Sequence, residues 1–191
     1  MMKMKTQVKI VAVLGLALIA GLSSCKKDED LVDTPQPTYN EPEVITTMTL
    51  TFVDDAGVQP NVTATFRDPD GDGGLGADIF DTIRLQNNTV YSCTITLLNE
   101  TVTPAEDMTT EVLAEAAEHL FCLSPAGADI NIVRTDSDGT YEIGQTSQWT
   151  VGAVGNGTTL ITLKHQPGGI KDGTCAPGET DIEVNFVTEV Q

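Results

Sequence analysis

The chain has 191 residues, of which 28 are acidic and only 10 are basic, and its formal net charge is −18. A surface of this charge repels the phosphates of nucleic acids and the headgroups of anionic lipids, which excludes nucleic-acid binding as a function. It suits cations, basic partners or simple solubility in water.

The first 24 residues have the composition of a secretory signal peptide. Lysines precede an apolar run over residues 10–22, which is shorter than the roughly 18 residues that span a bilayer. The run ends in Leu-Ser-Ser-Cys, and this ending resembles the lipobox of bacterial lipoproteins. The resemblance implies cleavage before Cys25 and anchoring to membrane lipid through its acylated thiol. The alternative is a plain secretory signal with an unrelated cysteine.

Residues 25–43 are predicted to be the lipidated cysteine and a flexible tether. After Cys25 the segment reads KKDEDLVDTPQPTYNEPE, which has too few apolar side chains to bury a core and reaches about 25 Å as a flexible coil. Its Lys-Lys-Asp-Glu-Asp start resembles the export signal of Bacteroidota surface lipoproteins. That resemblance implies a protein of the outer membrane that faces the exterior, with a periplasm-facing protein as the alternative.

Alternation of apolar and polar side chains dominates residues 44–191, which are predicted to form one domain. Threonine is frequent on the polar face, as in half-buried antiparallel strands, and Asp-, Asn- and Gly-rich turns separate the runs. The predicted strands are 44–53, 62–67, 91–97, 129–134, 147–153, 158–165 and 182–186.

One segment has helical periodicity instead. In residues 104–120 the apolar side chains recur at four-residue steps, at Met108, Val112, Ala116 and Leu120, which predicts one amphipathic helix leading into a strand at 119–123. Many short strands with one connecting helix predict a mainly β fold. We expect a two-sheet antiparallel sandwich, Ig-like in general form.

Four segments of this domain resemble a group of small acidic Bacteroidota lipoproteins of unassigned function. They read ATFRDPDGDG, AEHLF, LKHQP and GETDIEVNF. Some of these proteins carry the label of the type 1 periplasmic binding fold superfamily. That fold needs two doubly wound lobes, and this chain, with one helical segment and about half the length, is expected to form the sandwich instead.

The sharpest candidate for a cofactor site is Asp-Pro-Asp-Gly-Asp-Gly at residues 68–73. Carboxylates at Asp68, Asp70 and Asp72 with a following glycine are how a calcium-binding loop begins. The twelfth position, where such a loop places a bidentate glutamate, is Ile79. Two interpretations therefore stay open: a Ca²⁺ site formed by the three aspartates, and an acidic β-turn between strands.

Histidine and cysteine give weaker signals. His119 and His165 are the only histidines, and neither lies in a metal-binding or nucleophile motif, although a metal pair or an acid–base site is conceivable. A histidine at the end of the predicted helix, His119, is explained by the helix dipole. Apart from Cys25, the chain has three cysteines, and two of them can form a disulfide in an oxidising compartment outside the cytoplasm. A disulfide between Cys122 and Cys175 is favoured over one between Cys93 and Cys122, because Cys93 lies on an apolar strand face.

Three classes of function follow. A non-catalytic surface module that binds a protein or glycan, or forms a structural part of an envelope assembly, is favoured for a small sandwich on a lipid tether, although fold alone does not fix function. The alternative is an accessory protein that binds Ca²⁺ or a small ligand. The third class, a hydrolase, is the least favoured, because the sequence has no recognisable nucleophile or acid–base pair.

Overall fold

The part of the chain that the structure describes forms eleven β-strands and one short helix. The computed structural model describes residues 43–71 and 74–191, so the predicted signal peptide, Cys25, almost all of the tether and Asp72 lie outside the described residues. In chain order the elements are β1 (Thr47–Asp54), β2 (Val62–Arg67), β3 (Ile79–Phe80), β4 (Ile83–Leu85), β5 (Val90–Asn99), β6 (Glu106–Asp107), α1 (Met108–Ala114), β7 (His119–Ala126), β8 (Ile130–Arg134), β9 (Thr146–Val151), β10 (Gly155–His165) and β11 (Glu179–Val190).

The strands build two sheets. The larger sheet has seven strands in the order β3-β2-β1-β5-β9-β8, with β6 paired to β5, and the smaller has the order β4-β11-β10-β7. All pairs are antiparallel except β4 with β11, which run parallel. The predicted mainly β, two-sheet sandwich with one short helix is therefore confirmed, and the parallel pair is its one departure from antiparallel pairing among the described strands.

Apolar side chains from both sheets fill a common core. Phe52, Trp149 and Phe186 are completely buried, and the rings of Phe52 and Trp149 meet edge to face with centroids 4.9 Å apart, a favourable aromatic geometry. Cys93 also lies in the core, where burial raises the pKa of its thiol. The core residues thus lie on the faces that alternation assigns to the interior.

The predicted helix over residues 104–120 is too long. Helix α1 begins after the N-cap Asp107, whose carboxylate accepts a hydrogen bond of 3.0 Å from the Thr109 N–H. It ends at Ala114, and from His119 onward the chain pairs with β10 as β7. The four-residue spacing predicts that Leu120 belongs to the helix, but the pairing of β7 with β10 makes it a strand residue. Within the described residues, no helix is long and apolar enough to cross a membrane.

The strands give the sandwich two ends. Strand β1 starts near Glu43, where the segment after Cys25 joins the domain, and we call this the tether end. Antiparallel pairing sets Thr47 opposite Arg67 at the tether end, and Asp54 opposite Tyr91 at the other, far end. With a rise of about 3.4 Å per residue, the eight residues of β1 separate the two ends by roughly 25 Å.

Candidate functional site

The two histidines of the chain lie side by side at the tether end. The register of β7 with β10 sets His119, the first residue of β7, opposite His165, the last residue of β10. Their rings stack with centroids 5.0 Å apart and planes inclined by 15°, and both residues are buried. The helix-dipole explanation for His119 is therefore wrong, because α1 ends before it and the residue belongs to a strand.

Asp181, near the start of β11, faces His119. Its Oδ2 lies 3.6 Å from His119 Nε2, and both side chains are completely buried. Neither atom has a hydrogen-bond partner among the described residues, whereas the other oxygen of Asp181 accepts a hydrogen bond of 3.3 Å from the Glu43 backbone N–H. Burial raises the pKa of Asp181 and lowers the pKa of His119, so each group is shifted toward its uncharged form.

The second ring nitrogen of His119 fixes its tautomer. Nδ1 lies 3.2 Å from the Glu115 carbonyl oxygen. A carbonyl oxygen can only accept a hydrogen bond, so Nδ1 must carry the proton of the neutral ring. The lone pair is then on Nε2, which faces Asp181.

Two half-buried glutamates complete the cluster. One carboxylate oxygen each of Glu43 and Glu115 and one ring nitrogen of His119 all lie within 4.8 Å of one another. Burial, followed by the negative charges of Glu111 and Glu115, raises the pKa of Glu43 to about 7. Carboxylate oxygens and imidazole nitrogens are donors that bind zinc-like cations, and a cation relieves the repulsion between crowded acids. This group is therefore the candidate metal centre.

The acidic loop predicted to bind calcium lies beside this cluster. Asp70 Oδ2 accepts a hydrogen bond of 2.7 Å from the Leu75 N–H, which lowers the pKa of Asp70, and Gly71 has a φ of 69°. Both features belong to a turn closed by its own side chain. Asp68 lines a cleft of about 490 Å³ that also contacts Glu43 and Asp181. A Ca²⁺ site formed by Asp68, Asp70 and Asp72 stays a prediction, because Asp72 lies outside the described residues.

A disulfide joins the cysteine pair favoured from the sequence. Cys122 on β7 is bonded to Cys175 in the loop between β10 and β11. Cys93 is free and buried. The bond attaches that loop, which follows the strand of His165, to β7, the edge strand of the smaller sheet that carries His119.

A second surface feature lies at the far end. The Asp54 carboxylate accepts hydrogen bonds from the backbone N–H groups of Ala56 at 3.0 Å, Val58 at 2.8 Å and Gln59 at 2.8 Å. These bonds fix the β1–β2 loop, and Val58 is 75% exposed on it. The loop borders a cleft of about 570 Å³. The other wall of this cleft is formed by Asn88, Thr89 and Val90.

The sequence left open a metal pair or an acid–base site at the two histidines, but it gave no sign of Glu43, Glu115 and Asp181. The available signal was the set of segments that carry the family resemblance. AEHLF contributes His119, LKHQP contributes His165 and GETDIEVNF contributes Asp181. Their convergence depends on the pairing of β7, β10 and β11, which periodicity within each segment does not reveal.

Comparisons with known proteins add no relative. No protein-family model, curated protein or solved structure matches the chain. The resemblance to Bacteroidota lipoproteins therefore stays a prediction from the motifs. Function has to be argued from the chemistry and placement of individual residues, because fold alone does not determine it.

Proposed function

We propose that the protein is a lipid-anchored module of the bacterial cell envelope that binds a partner through its far end and catalyses no reaction. The observation that carries the proposal is the β1–β2 loop. Three of its backbone N–H groups bond to Asp54, it presents an exposed Val58, and it lies at the end of the sandwich opposite Glu43.

The placement of the loop supports a role in recognition. If Cys25 is acylated, the chain leaves the membrane through a tether of about 25 Å and enters the domain at Glu43. The far end is then the part of the domain most free to meet another molecule. A loop already fixed in one conformation loses little entropy on binding, which favours affinity. Val154, in the β9–β10 connection, is a second exposed apolar side chain there, at 66% exposure.

The chemistry of the far-end cleft favours a protein over a glycan. Its described lining includes Asp54, Asp55, Val58 and Val90, and no aromatic ring. Sugars usually stack on aromatic rings, so this lining gives a glycan no platform. Valines beside carboxylates suit a protein surface that has apolar side chains flanked by basic ones.

Photocrosslinking in intact cells tests this proposal. A photoreactive residue at Val58 is compared with one at Val102, which is also exposed but follows β5 at the tether end. Adducts should be recovered with an antibody to the domain, because Gln191 bonds to Leu85 at the far end and a tag there would cover the surface. We expect a discrete protein adduct from Val58 and none from Val102.

Two results would contradict recognition at the far end: equal adducts from both positions, or none from Val58. An adduct that glycosidase shortens would identify a glycan instead of a protein.

The same cells also test whether the domain faces the exterior of the cell. Protease added to intact cells is expected to remove the domain, whereas digestion only after lysis would assign it to the periplasm.

A further inference from the structure

We infer that Glu43, Glu115 and His119 bind one divalent transition-metal ion of the zinc class, next to the buried carboxylate of Asp181. This site lies at the tether end. It goes beyond the proposed function and does not depend on recognition at the far end, so either can fail without the other.

The ligand atoms have to move only a short way to reach the spacing that a bound zinc ion needs. The three ligand atoms lie within 4.8 Å of one another, and ligands of a tetrahedral zinc ion with bonds of about 2.0–2.1 Å are about 3.4 Å apart. His119 is completely buried and cannot move far, whereas Glu43 and Glu115 are only partly buried. Rotation of the two glutamate side chains can therefore bring their oxygens to bonding distance.

The buried pair at the base of the site points to a cation. His119 Nε2, with its lone pair, and Asp181 Oδ2 lie 3.6 Å apart, both side chains are completely buried, and neither atom has a hydrogen-bond partner in the described chain. Buried polar atoms of this kind are costly unless they are satisfied. An ion bound to Nε2 would satisfy the ring nitrogen and would place a positive charge beside the Asp181 carboxylate. The contact of His119 Nδ1 with a carbonyl oxygen is the outer contact that orients a metal-binding histidine.

The donor set selects the class of ion. One imidazole with carboxylates suits Zn²⁺ and its neighbours, whereas Ca²⁺ and Mg²⁺ prefer oxygen donors alone. Copper(I) is disfavoured because it prefers soft sulfur donors, and the three described cysteines are either buried in the core or joined in the disulfide.

Binding would fasten the start of the domain. Glu43 precedes β1, Glu115 caps α1 and His119 begins β7. Asp181 belongs to β11 and already accepts the Glu43 N–H. One ion would therefore tie the residue at which the tether ends to both sheets, so amides 43–46 should exchange hydrogen more slowly when the ion is bound.

Calorimetry on the full chain tests the site. After removal of metal with a chelator, the protein is titrated with Zn²⁺ alone, and with Mg²⁺ and Ca²⁺ alone for comparison. We expect one Zn²⁺ per chain, and a loss of affinity of about tenfold or more in Glu43→Gln and in Glu115→Gln. Glu111→Gln is the matched control: it removes the same charge from an exposed position on α1, and screening should limit its effect to about twofold.

Two outcomes would overturn the inference. One is no saturable Zn²⁺ binding; the other is equal weakening by Glu111→Gln and Glu115→Gln, which would mean diffuse attraction to an acidic surface. His119→Ala can fail to fold because the residue is buried, so X-ray absorption of the zinc-loaded wild type supplies the independent readout. A spectrum with one imidazole supports the site, and a shell of oxygen alone contradicts it.

Discussion

Lys171 is the clearest case of one side chain that organises the tether end. Its ammonium group lies in the β10–β11 loop, is almost completely buried, and bonds to Asp138 Oδ2 at 2.7 Å and to the Ala116 carbonyl oxygen at 2.8 Å. Asp138 also accepts the N–H groups of Thr140 and Tyr141 through its other oxygen. One cation thus connects three loops next to the histidine pair.

Removal of this cation should destabilise the fold. Lys171→Ala leaves the Asp138 carboxylate buried without its cation, and such a loss typically lowers the free energy of unfolding by about 3–5 kcal/mol. Because the N–H groups of Thr140 and Tyr141 still donate to this carboxylate, we expect a loss at the lower end, about 3 kcal/mol. The control is Arg84→Ala, because Arg84 and Glu189 form a pair that is 54% and 38% exposed and such pairs contribute less than about 1 kcal/mol. Urea unfolding of both variants measures the difference, and similar losses would contradict the assignment.

The same pair predicts an acid-dependent loss of stability. The Lys171 ammonium, together with the loop N–H groups, lowers the pKa of Asp138 from 3.8 to about 2. A carboxyl group with a lowered pKa stabilises the fold above its unfolded value, and this contribution is lost as the pH falls through the folded value. The free energy of unfolding should fall between about pH 4 and pH 2 more steeply in wild type than in Asp138→Asn. Parallel curves would be inconsistent with this titration.

At the scale of elements, the alternation of apolar and polar residues located the strands well, because burial along a strand also alternates every second residue. Strand β2 has the predicted bounds, and the other predicted strands differ by a few residues. Strands β3, β4 and β6 were missed, since two or three residues are too few to show alternation. The helix was predicted too long because the spacing of Met108, Val112 and Leu120 fits a helix, while the pairing of β7 with β10 is visible only in the folded chain.

The disulfide gives a prediction at this scale. It closes a segment of the chain between cysteines 53 positions apart, and a cross-link of this kind typically contributes about 2–4 kcal/mol. The double variant Cys122→Ala, Cys175→Ala should therefore unfold at lower urea concentration than the oxidised wild type. Reducing agent should bring wild type down to the variant and leave the variant unchanged. A variant as stable as oxidised wild type would show that the bond contributes nothing.

At the scale of the whole molecule, the sandwich separates two kinds of chemistry. Titratable and buried groups gather at the tether end, and a hydrogen-bonded loop with an exposed valine lies at the far end. The sandwich itself could be predicted from the sequence, because it follows from alternation within short segments. The candidate metal centre could not, because Glu43 before β1, Glu115 at the end of α1 and His119 at the start of β7 come together only in the folded chain.

The proposal that the far end meets a partner rests on the predicted membrane anchor at Cys25, so a test of that anchor is the most direct one. Cells that express the full chain are labelled with an alkynyl fatty acid, and the protein is recovered with an antibody to the domain. We expect label on wild type and on the control Cys93→Ala, and none on Cys25→Ala. Label that persists in Cys25→Ala, or its absence from wild type, would contradict acylation of Cys25.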